Sequence, residues 1–448
     1  MTVSTIILAA GKGTRMRSPT PKILHKIAGK HLIAFGVDLA KAVKSKETIV
    51  VVGNENEHAT KVALSDEAVK FCTQKSQLGT GDAVKVALED FKIKSKYTLI
   101  LYGDTPFIKN NTIRKMISKA EKGFEFIFLG FHARKKNSYG KFKLGSKGTL
   151  IGIIEKNEPE YNLTDSLSNS GILLARSRIL ADLIQKIKND NAKREYYLTD
   201  IVKLAAKHGH SSTYVRCNED ECIGVNSQLE LSIAEKKFQD NFRERLMASG
   251  VSMQSPETCF FSYDTIIKSG CIIEPNVFFG HGVKIQGSTI IKSYSYIEGT
   301  HIGKHCQIGP FARLRPGTSL SEKVKVGNFV EVKNTILASK SKANHLTYIG
   351  DAKVGANTNI GAGTIFCNYD GKNKHRSVVG DNVFIGSNAS LIAPLKIGDA
   401  SIVAAGSAIN RDVPSESLAI ARPIQQIKLG LGKKIMLKLR NVTDKIRK

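Results

Sequence analysis

No run of eighteen apolar residues occurs in this 448-residue chain, so no segment is long enough to cross a bilayer as a helix. The stretch that opens the sequence does not read as a secretory leader either. MTVSTIILAAGKGTRM has no basic start, only a short apolar stretch, and a glycine-rich loop directly after it; a cytoplasmic protein is expected. Cysteine is sparse and unpaired. The seven cysteines (Cys72, Cys217, Cys222, Cys259, Cys271, Cys306 and Cys367) are odd in number and form no C-x-x-C pair. That pattern speaks against a disulfide framework or a zinc site and for reduced thiols acting as small apolar residues. Acidic residues are few: 40 Asp and Glu stand against 67 Lys and Arg, a formal charge of +27. Such a charge attracts anions. No basic-aromatic nucleic-acid motif accompanies it, so phosphorylated small molecules are the expected partners, with no nucleic acid and no membrane insertion.

What the chain does contain is a rhythm. From about Ile266 to Ile409 an aliphatic or aromatic residue recurs every six positions. One series is Ile273, Phe279, Ile285, Ile291 and Ile297; a second is Ile302, Ile308, Leu314, Leu320, Val326 and Val332; a third is Val379, Ile385, Leu391, Ile397, Val403 and Ile409. Neither a helix nor an ordinary strand has a period of six. A hexapeptide solenoid does, with one apolar residue of each six pointing into a narrow core. Small residues such as Gly303, Gly309, Gly380, Gly386 and Gly398 follow the inward residue, where the chain must turn. The rhythm breaks between Ile297 and Ile302 and loses regularity from about Thr335 to Gly380, where projecting loops are expected.

Residues 1 to about 225 read differently. TIILAA, ETIVVVG and YTLILYGD are apolar runs separated by helical stretches such as HLIAFGVDLAKAV and GTGDAVKVALEDF. The alternation predicts an α/β domain with a largely parallel sheet, whose ligands sit beyond the carboxyl ends of the strands. AAGKGTRM and LYGDTP both fall at such ends. LELSIAEKKFQDNFRERLM, from Leu229 to Met247, reads as one helix joining the halves and closed by Gly250. The last stretch, 423–448, carries eight Lys or Arg against one Asp; it is either a solvated tail or an arm that meets a phosphorylated ligand or a neighbouring subunit.

The loop Leu8-Ala9-Ala10-Gly11-Lys12-Gly13-Thr14-Arg15-Met16 is not a Walker A loop, and Met16 stands where a dinucleotide fingerprint needs its third glycine. Two glycines still let backbone N–H groups approach phosphate oxygens, and Lys12, Arg15 and Lys22 add charge. This segment, followed by Thr20-Pro21-Lys22, resembles the signature of sugar-1-phosphate nucleotidyltransferases, which join a nucleoside triphosphate to a sugar phosphate and release pyrophosphate. Further pieces follow in that order: Gln74, Gln77-Leu78-Gly79-Thr80-Gly81, Tyr102-Gly103-Asp104, Tyr139-Gly140, Glu155, Asn169-Ser170-Gly171, Tyr196-Tyr197-Leu198-Thr199-Asp200 and Gly224-Val225-Asn226. Joined to a hexapeptide solenoid, they resemble the bacterial family that carries N-acetylglucosamine-1-phosphate uridyltransferase and glucosamine-1-phosphate N-acetyltransferase activities on one chain.

The resemblance implies a Rossmann-like α/β uridyltransferase domain over 1–226, a helical linker over 227–250 and a left-handed parallel β-helix acetyltransferase domain over 251–448. In the first domain it implies that Leu8, Ala9, Ala10 and Gly11 line the uridine and phosphate site with Tyr102 and Gly103. Arg15 and Lys22 would steady the phosphates, and Gln74, Gly79 and Thr80 would read uracil. Asp104 and Asn226 would hold Mg²⁺, and Gly140, Glu155 and Asn169 would meet the sugar. In the second it implies that His345, in the stretch Ala343-Asn344-His345-Leu346-Thr347-Tyr348, is a general base acting on the amine of glucosamine-1-phosphate. Asn368 would orient or polarise the exchange, and Ser387 and Ala405 would face the acetyl group. Arg315, Lys333 and Lys374 would clamp the sugar phosphate, with Tyr348 and Asn359 on the sugar, while Ala362, Tyr369 and Arg422 would contact coenzyme A. The co-substrates would be UTP and acetyl-CoA, and the assembly a homotrimer with acetyl sites formed between subunits.

Two positions depart from the family pattern. Glu155-Lys156-Asn157-Glu158 stands where Glu-x-Lys-Asp is usual, and His31 stands where proline is common. His25, His208 and His210 read as surface or capping residues. Two other readings compete. One is a single-activity nucleotidyltransferase whose solenoid only assembles subunits; the other is a basic protein that binds nucleic acid or a membrane surface.

Overall fold

The apolar runs of the N-terminal half become buried strands because each is covered on both faces by helices. In a computed structural model, which describes residues 1–134, 139–145, 148–156, 158, 160–161, 167–191, 193–440 and the backbone of 441–446, the chain forms two compact units, Met1–Phe242 and Arg243–Lys448. The sheet of the first unit runs Ser212–Cys217, Phe126–Phe131, Ser168–Arg176, Tyr97–Tyr102, Val3–Leu8, Thr48–Gly53, Lys70–Gln74. Val3–Leu8 lies between Tyr97–Tyr102 and Thr48–Gly53 and is parallel to both. Ser168–Arg176 is antiparallel to both of its neighbours. Its beginning therefore lies at the same edge as the carboxyl ends of the parallel strands. Helices Leu32–Ala42, Thr80–Asp90 and Asn110–Glu121 connect the strands, and their apolar stripes close two cores, one on each face.

The helix expected from Leu229 to Met247 spans Gln228–Ala248, and Gly250 follows it at φ 91°. The boundary between the two units falls inside this helix, after Phe242.

The second unit is a parallel β-helix with three faces, formed by sheets of ten, nine and eight short strands. Each strand pairs in parallel register with the one a full coil later, as Ile272 does with Ile290 and Ile273 with Ile291. Every residue of the three six-residue series is buried, from Ile273 at 0% exposure to Ile409 at 5%. Corners recur at residues with positive φ that are not glycine, among them Phe311, Phe329 and Leu346 at 55°, 56° and 51°. That conformation costs an L-residue about 1 kcal/mol or more, and backbone bonds between coils hold it; Leu346 N–H donates to the Asn328 carbonyl at 3.1 Å.

The stretch expected to be irregular is mostly regular. Leu337, Ala343, Ile349, Val354, Ile360 and Phe366 are all inward and buried, and their strands stay in register. Two things hid this in the sequence. Five residues replace six between Val332 and Leu337, and again between Ile349 and Val354, as they do between Ile297 and Ile302. Alanine and phenylalanine also occupy inward positions at 343 and 366. The real interruption is the insertion between strands Ile365–Cys367 and Ser377–Val379. His345 accordingly ends a regular strand, Lys342–His345, and does not sit at a break.

Residues 431–446 form a helix, Leu431–Ile446; Ile435, Met436, Leu437 and Leu439 on it are exposed. Among the described residues no helix is long and apolar enough to cross a membrane.

Phe366 is fully buried in the coil that leads into the insertion. Phe366→Ala is expected to destabilise the second unit by about 3–5 kcal/mol, read as a lower denaturant midpoint by circular dichroism; an unchanged midpoint would contradict this account of the coil.

Candidate active sites

The first site grows from the sheet topology. Leu8, Gly53, Gln74 and Tyr102 end parallel strands at one edge, and the loops that leave them surround a cleft of about 560 Å³. Leu8, Ala9, Ala10, Gly11, Arg15, Lys22, Gln74, Gly79, Thr80, Tyr102, Asp104 and Asn226 all line it. Gly13 has φ 64°, and a Cβ there would lie 2.7 Å from Cβ of Lys22, so glycine lets the loop fold over that lysine. Gly79 has φ 112°, and a Cβ would meet the Tyr196 carbonyl at 2.6 Å.

At the floor of the cleft, Lys22 Nζ donates to Asp104 Oδ2 at 2.5 Å and to Asn226 Oδ1 at 3.2 Å. Val225 N–H donates to the Asp104 carbonyl at 3.0 Å, which ties the Asn226 segment to the strand end. Two side-chain oxygens thus converge on one cation. A hard divalent ion takes the same donors together with substrate phosphates and water, so this pair fits Mg²⁺ in place of the ammonium. Gln74 is buried at 4% exposure, and its amide nitrogen is committed to the Gly79 carbonyl and to Asp82. Its carbonyl oxygen remains for a ligand.

Gly103, Gly140, Glu155 and Asn169 lie outside the cleft lining. Gly103 packs beneath it, against Ile33 and Ala9. The other three gather together: Asn169 N–H donates to the Gly140 carbonyl at 2.7 Å, and a Cβ on Gly140 would lie 3.3 Å from the Glu155 carboxylate. Burial pushes the Glu155 carboxyl above its ordinary range; the Thr199 hydroxyl, which donates to it at 3.0 Å, opposes this, and Glu158 and Asp200 add to it. Asn157, one of the departures, lies outside the described residues. The other, His31, caps a turn by donating to the Leu24 carbonyl through Nδ1 at 2.6 Å. His208 and His210 sit as expected, against Leu204 and Glu125. The cleft also takes in Gln77, Glu195 and Tyr197. Tyr197 belongs to a motif noted above, but Glu195 carries no sequence signal of its own.

The seven cysteines are free. Cys217 and Cys222 nevertheless approach to 3.3 Å between sulfurs, a proximity their spacing does not announce. Among the described residues no group of three or more His, Cys, Asp and Glu side chains is placed to hold a metal.

The second group of residues follows the corners of the solenoid. In-register stacking places His345, Ala362, Ser387 and Ala405 in successive coils at one corner: Gly363 N–H donates to the His345 carbonyl, Asn388 N–H to Ala362 and Gly406 N–H to Ser387. Arg422 donates to the Ala405 carbonyl at 3.1 Å. The next corner, past strands Glu331–Lys333 and Tyr348–Gly350, carries Arg315, Lys333 and Asn368. Arg315 is directed outward, with Leu314 buried beneath it, and donates to Glu331 at 2.8 Å. Contact with Lys374, then burial, then the charge of Arg315 hold Lys333 below the ordinary lysine range, against the pull of Asp351. Three cations crowd this surface, with the carboxylates of Glu331 and Asp351 beside them.

Asn368 is buried at 6% exposure and donates to Asp351 at 2.5 Å. A Cβ on Gly350 would lie 2.8 Å from the Asn368 amide nitrogen and closer still to the Tyr348 hydroxyl, so a larger residue there would displace one of these side chains. The insertion that bears Tyr369 and Lys374 is held by Asp370, which accepts from the backbone of Asn373 and Lys372 and from His375; those bonds keep its carboxyl far below the usual range. Tyr348 and Asn359 begin strands on two adjacent faces. Asp351 and Glu331 carry no sequence motif, and only the stacking of coils brings them to this corner.

Comparison with known proteins agrees with the two-part fold. Residues 5–196 match the MobA-like NTP transferase domain, and residues 376–411 match the bacterial transferase hexapeptide repeat. The bifunctional protein GlmU of Bartonella quintana is 44% identical over 437 residues, covering 97% of this chain and 97% of that protein. The bifunctional protein GlmU of Zymomonas mobilis is 44% identical over 438 residues, 96% of this chain and 97% of its own. That of Wolbachia pipientis is 44% identical over 425 residues, 94% and 97%.

Burial pushes the Asp351 carboxyl up, but hydrogen bonds from Asn334 and Asn368 and the charges of Lys333 and Lys374 outweigh it and leave the group below its ordinary value. A lowered carboxyl contributes stability that is present above the unfolded-state value and lost as pH falls through the folded one. Asp351→Asn is therefore expected to lower the denaturation midpoint at pH near 7 and to converge with the parent below about pH 4. A difference that persists at acid pH would show that the charge is not what Asp351 contributes.

Proposed function

The chain belongs to the GlmU family of bifunctional proteins, and from that premise we infer that it is a two-headed transferase of UDP-N-acetylglucosamine synthesis. The second unit transfers acetyl from acetyl-CoA to glucosamine-1-phosphate. The first joins the resulting N-acetylglucosamine-1-phosphate to UTP and releases pyrophosphate. The observation that carries this reading is the convergence of Lys22, Asp104 and Asn226 in a cleft walled by the glycine loop, on the same chain as a stacked His345–Ala362–Ser387–Ala405 corner.

In uridyl transfer a phosphate oxygen of the sugar attacks the α-phosphorus of UTP in line, and the bond to the β-phosphate breaks. Such a step needs alignment and charge neutralisation more than covalent help. Gly11 and its neighbours present backbone N–H groups to the phosphates, Arg15 and Lys22 supply positive charge, and Gln74, Gly79 and Thr80 hold the base. Gly140, Glu155 and Asn169 hold the sugar. Asp104 and Asn226 are the residues that would hold Mg²⁺, whose contribution when bound is to neutralise phosphate charge.

In acetyl transfer the sugar amine attacks the thioester carbon, and His345 takes its proton. The tetrahedral oxyanion collapses, and coenzyme A leaves as its thiol. Ser387 and the backbone near Ala405 face the acetyl group, where a well-aimed donor contributes about 3–4 kcal/mol. Arg315, Lys333 and Lys374 hold the sugar phosphate, which fits the cation crowding at Lys333. Tyr348 and Asn359 meet the sugar, and Ala362, Tyr369 and Arg422 meet coenzyme A. Asn368 orients the exchange. Histidine and cationic groups stand at opposite ends of one face, an arrangement suited to sites shared between neighbours in a homotrimer. A cytoplasmic location fits the substrates.

His345→Ala is expected to abolish coenzyme A thiol release while leaving pyrophosphate release near the parent level. Asp104→Ala is expected to do the reverse, removing the Mg²⁺-dependent step alone. Separate assays check both, thiol release from acetyl-CoA with glucosamine-1-phosphate and pyrophosphate release from UTP with N-acetylglucosamine-1-phosphate supplied directly; loss of both activities in either variant would sink the two-site reading.

A further inference from the structure

We propose that Asn328 is a positioning residue for acetyl transfer, fixing the tautomer and ring plane of His345 so that Nε2 is the atom that receives the proton. The proposal rests on the reading of His345 as the base. Asn328 ends strand Lys325–Asn328, His345 ends strand Lys342–His345 one coil later, and the ladder pairs the two residues directly. His345 Nδ1 lies 2.6 Å from Asn328 Oδ1. An amide oxygen carries no hydrogen, so Nδ1–H is the donor and the lone pair of the neutral ring sits on Nε2.

The backbone around the pair leaves little freedom. Leu346 N–H donates to the Asn328 carbonyl at 3.1 Å, and the Thr347 hydroxyl donates to the His345 carbonyl at 2.8 Å. Immediately before the pair, a Cβ on Gly327 would lie 1.9 Å from the Asn344 carbonyl. Only glycine lets the two strands close to the distance at which asparagine reaches the ring.

The chemistry of the partner matters as much as its place. A carboxylate on Nδ1 would favour the imidazolium and raise the ring's pKa; an amide orients without adding charge. Among the described residues Asn328 is the one side-chain partner of the His345 ring. The charged groups on the strands packed around it are Lys325, Lys342, Glu331 and Lys333. A neutral orienting group suits a base that must be unprotonated near neutral pH to accept a proton from an amine.

The test is steady-state acetyl transfer by the 448-residue chain, followed by thiol release from acetyl-CoA with glucosamine-1-phosphate between about pH 5.5 and 9. Asn328→Ala is expected to lower kcat by about 10–100-fold with KM little changed, the signature of a misaligned reacting group. Asn328→Asp, which keeps the size of the side chain, is expected to move the acidic limb of the kcat profile upward by about one unit. Uridyl transfer by the same preparations should stay at the parent level and so reports that each variant is folded. The proposal is overturned if Asn328→Ala keeps kcat within about twofold of the parent, or if Asn328→Asp leaves the acidic limb where it was. Run alongside, His345→Ala separates the two levels. If it is inactive and Asn328→Ala is normal, only the positioning role falls. If it stays active, the assignment of the base falls, and the role of Asn328 with it.

Discussion

In-register parallel pairing between successive coils is the constraint on which the second unit depends. Each short strand satisfies its backbone groups only against the strand one coil away, so the length of a coil decides which residues become neighbours. Ile272 pairs with Ile290, Ile290 with Gln307 and Asn359 with Phe384, as coils shorten at a five-residue corner or lengthen around the inserted loop. That register stacks His345, Ala362, Ser387 and Ala405 along one corner and Arg315, Lys333 and Asn368 along the next. A scaffold built for its own hydrogen bonds therefore also sets the spacing of the proposed acetyl-transfer site. Gly327 lies where one coil's backbone closes on the next, a Cβ there falling 1.9 Å from the Asn344 carbonyl.

The first unit reaches a comparable result by another route. Its parallel strands deliver the glycine loop, Gln74 and Asp104 to one edge, and one antiparallel strand brings Asn169 to that edge from the opposite direction. Asn226 arrives from far along the chain, held through Val225 to the Asp104 backbone. Lys22 then occupies the point on which Asp104 and Asn226 converge. The oxygen pair thus holds a cation, the ammonium of Lys22.

The two sites differ in how electrostatics is used. The cleft pairs its lysine with a carboxylate and an amide, so the local charge is balanced. The solenoid corner instead crowds Lys333, Lys374 and Arg315, offset in part by Asp351 and Glu331. The phosphate of the proposed sugar substrate would relieve repulsion among the cations, and Asp351 at the same time holds the Asn368 amide in place. One carboxylate thus couples charge balance to side-chain orientation.

Much of the fold was legible in the residues themselves. The six-residue series named buried positions from Ile273 to Ile409, because inward direction along a coil is a local, repeating property. The apolar runs and the glycine loop likewise placed the strands of the sheet and the edge that carries the cleft. Regularity between Thr335 and Gly380 was missed, since five-residue corners and inward Ala343 and Phe366 disguise the period. Neither Asp351, Glu331 and Asn328 at the solenoid corners nor Glu195 in the cleft could be read from a motif. Their meaning comes from what stacks above or folds across them, and that depends on coil length and strand direction summed over many residues. Sequence by itself determined which side chains face inward and which loops leave the strand ends; the tertiary structure alone decided which of them meet, because register and topology are properties of the whole pairing and not of any six residues.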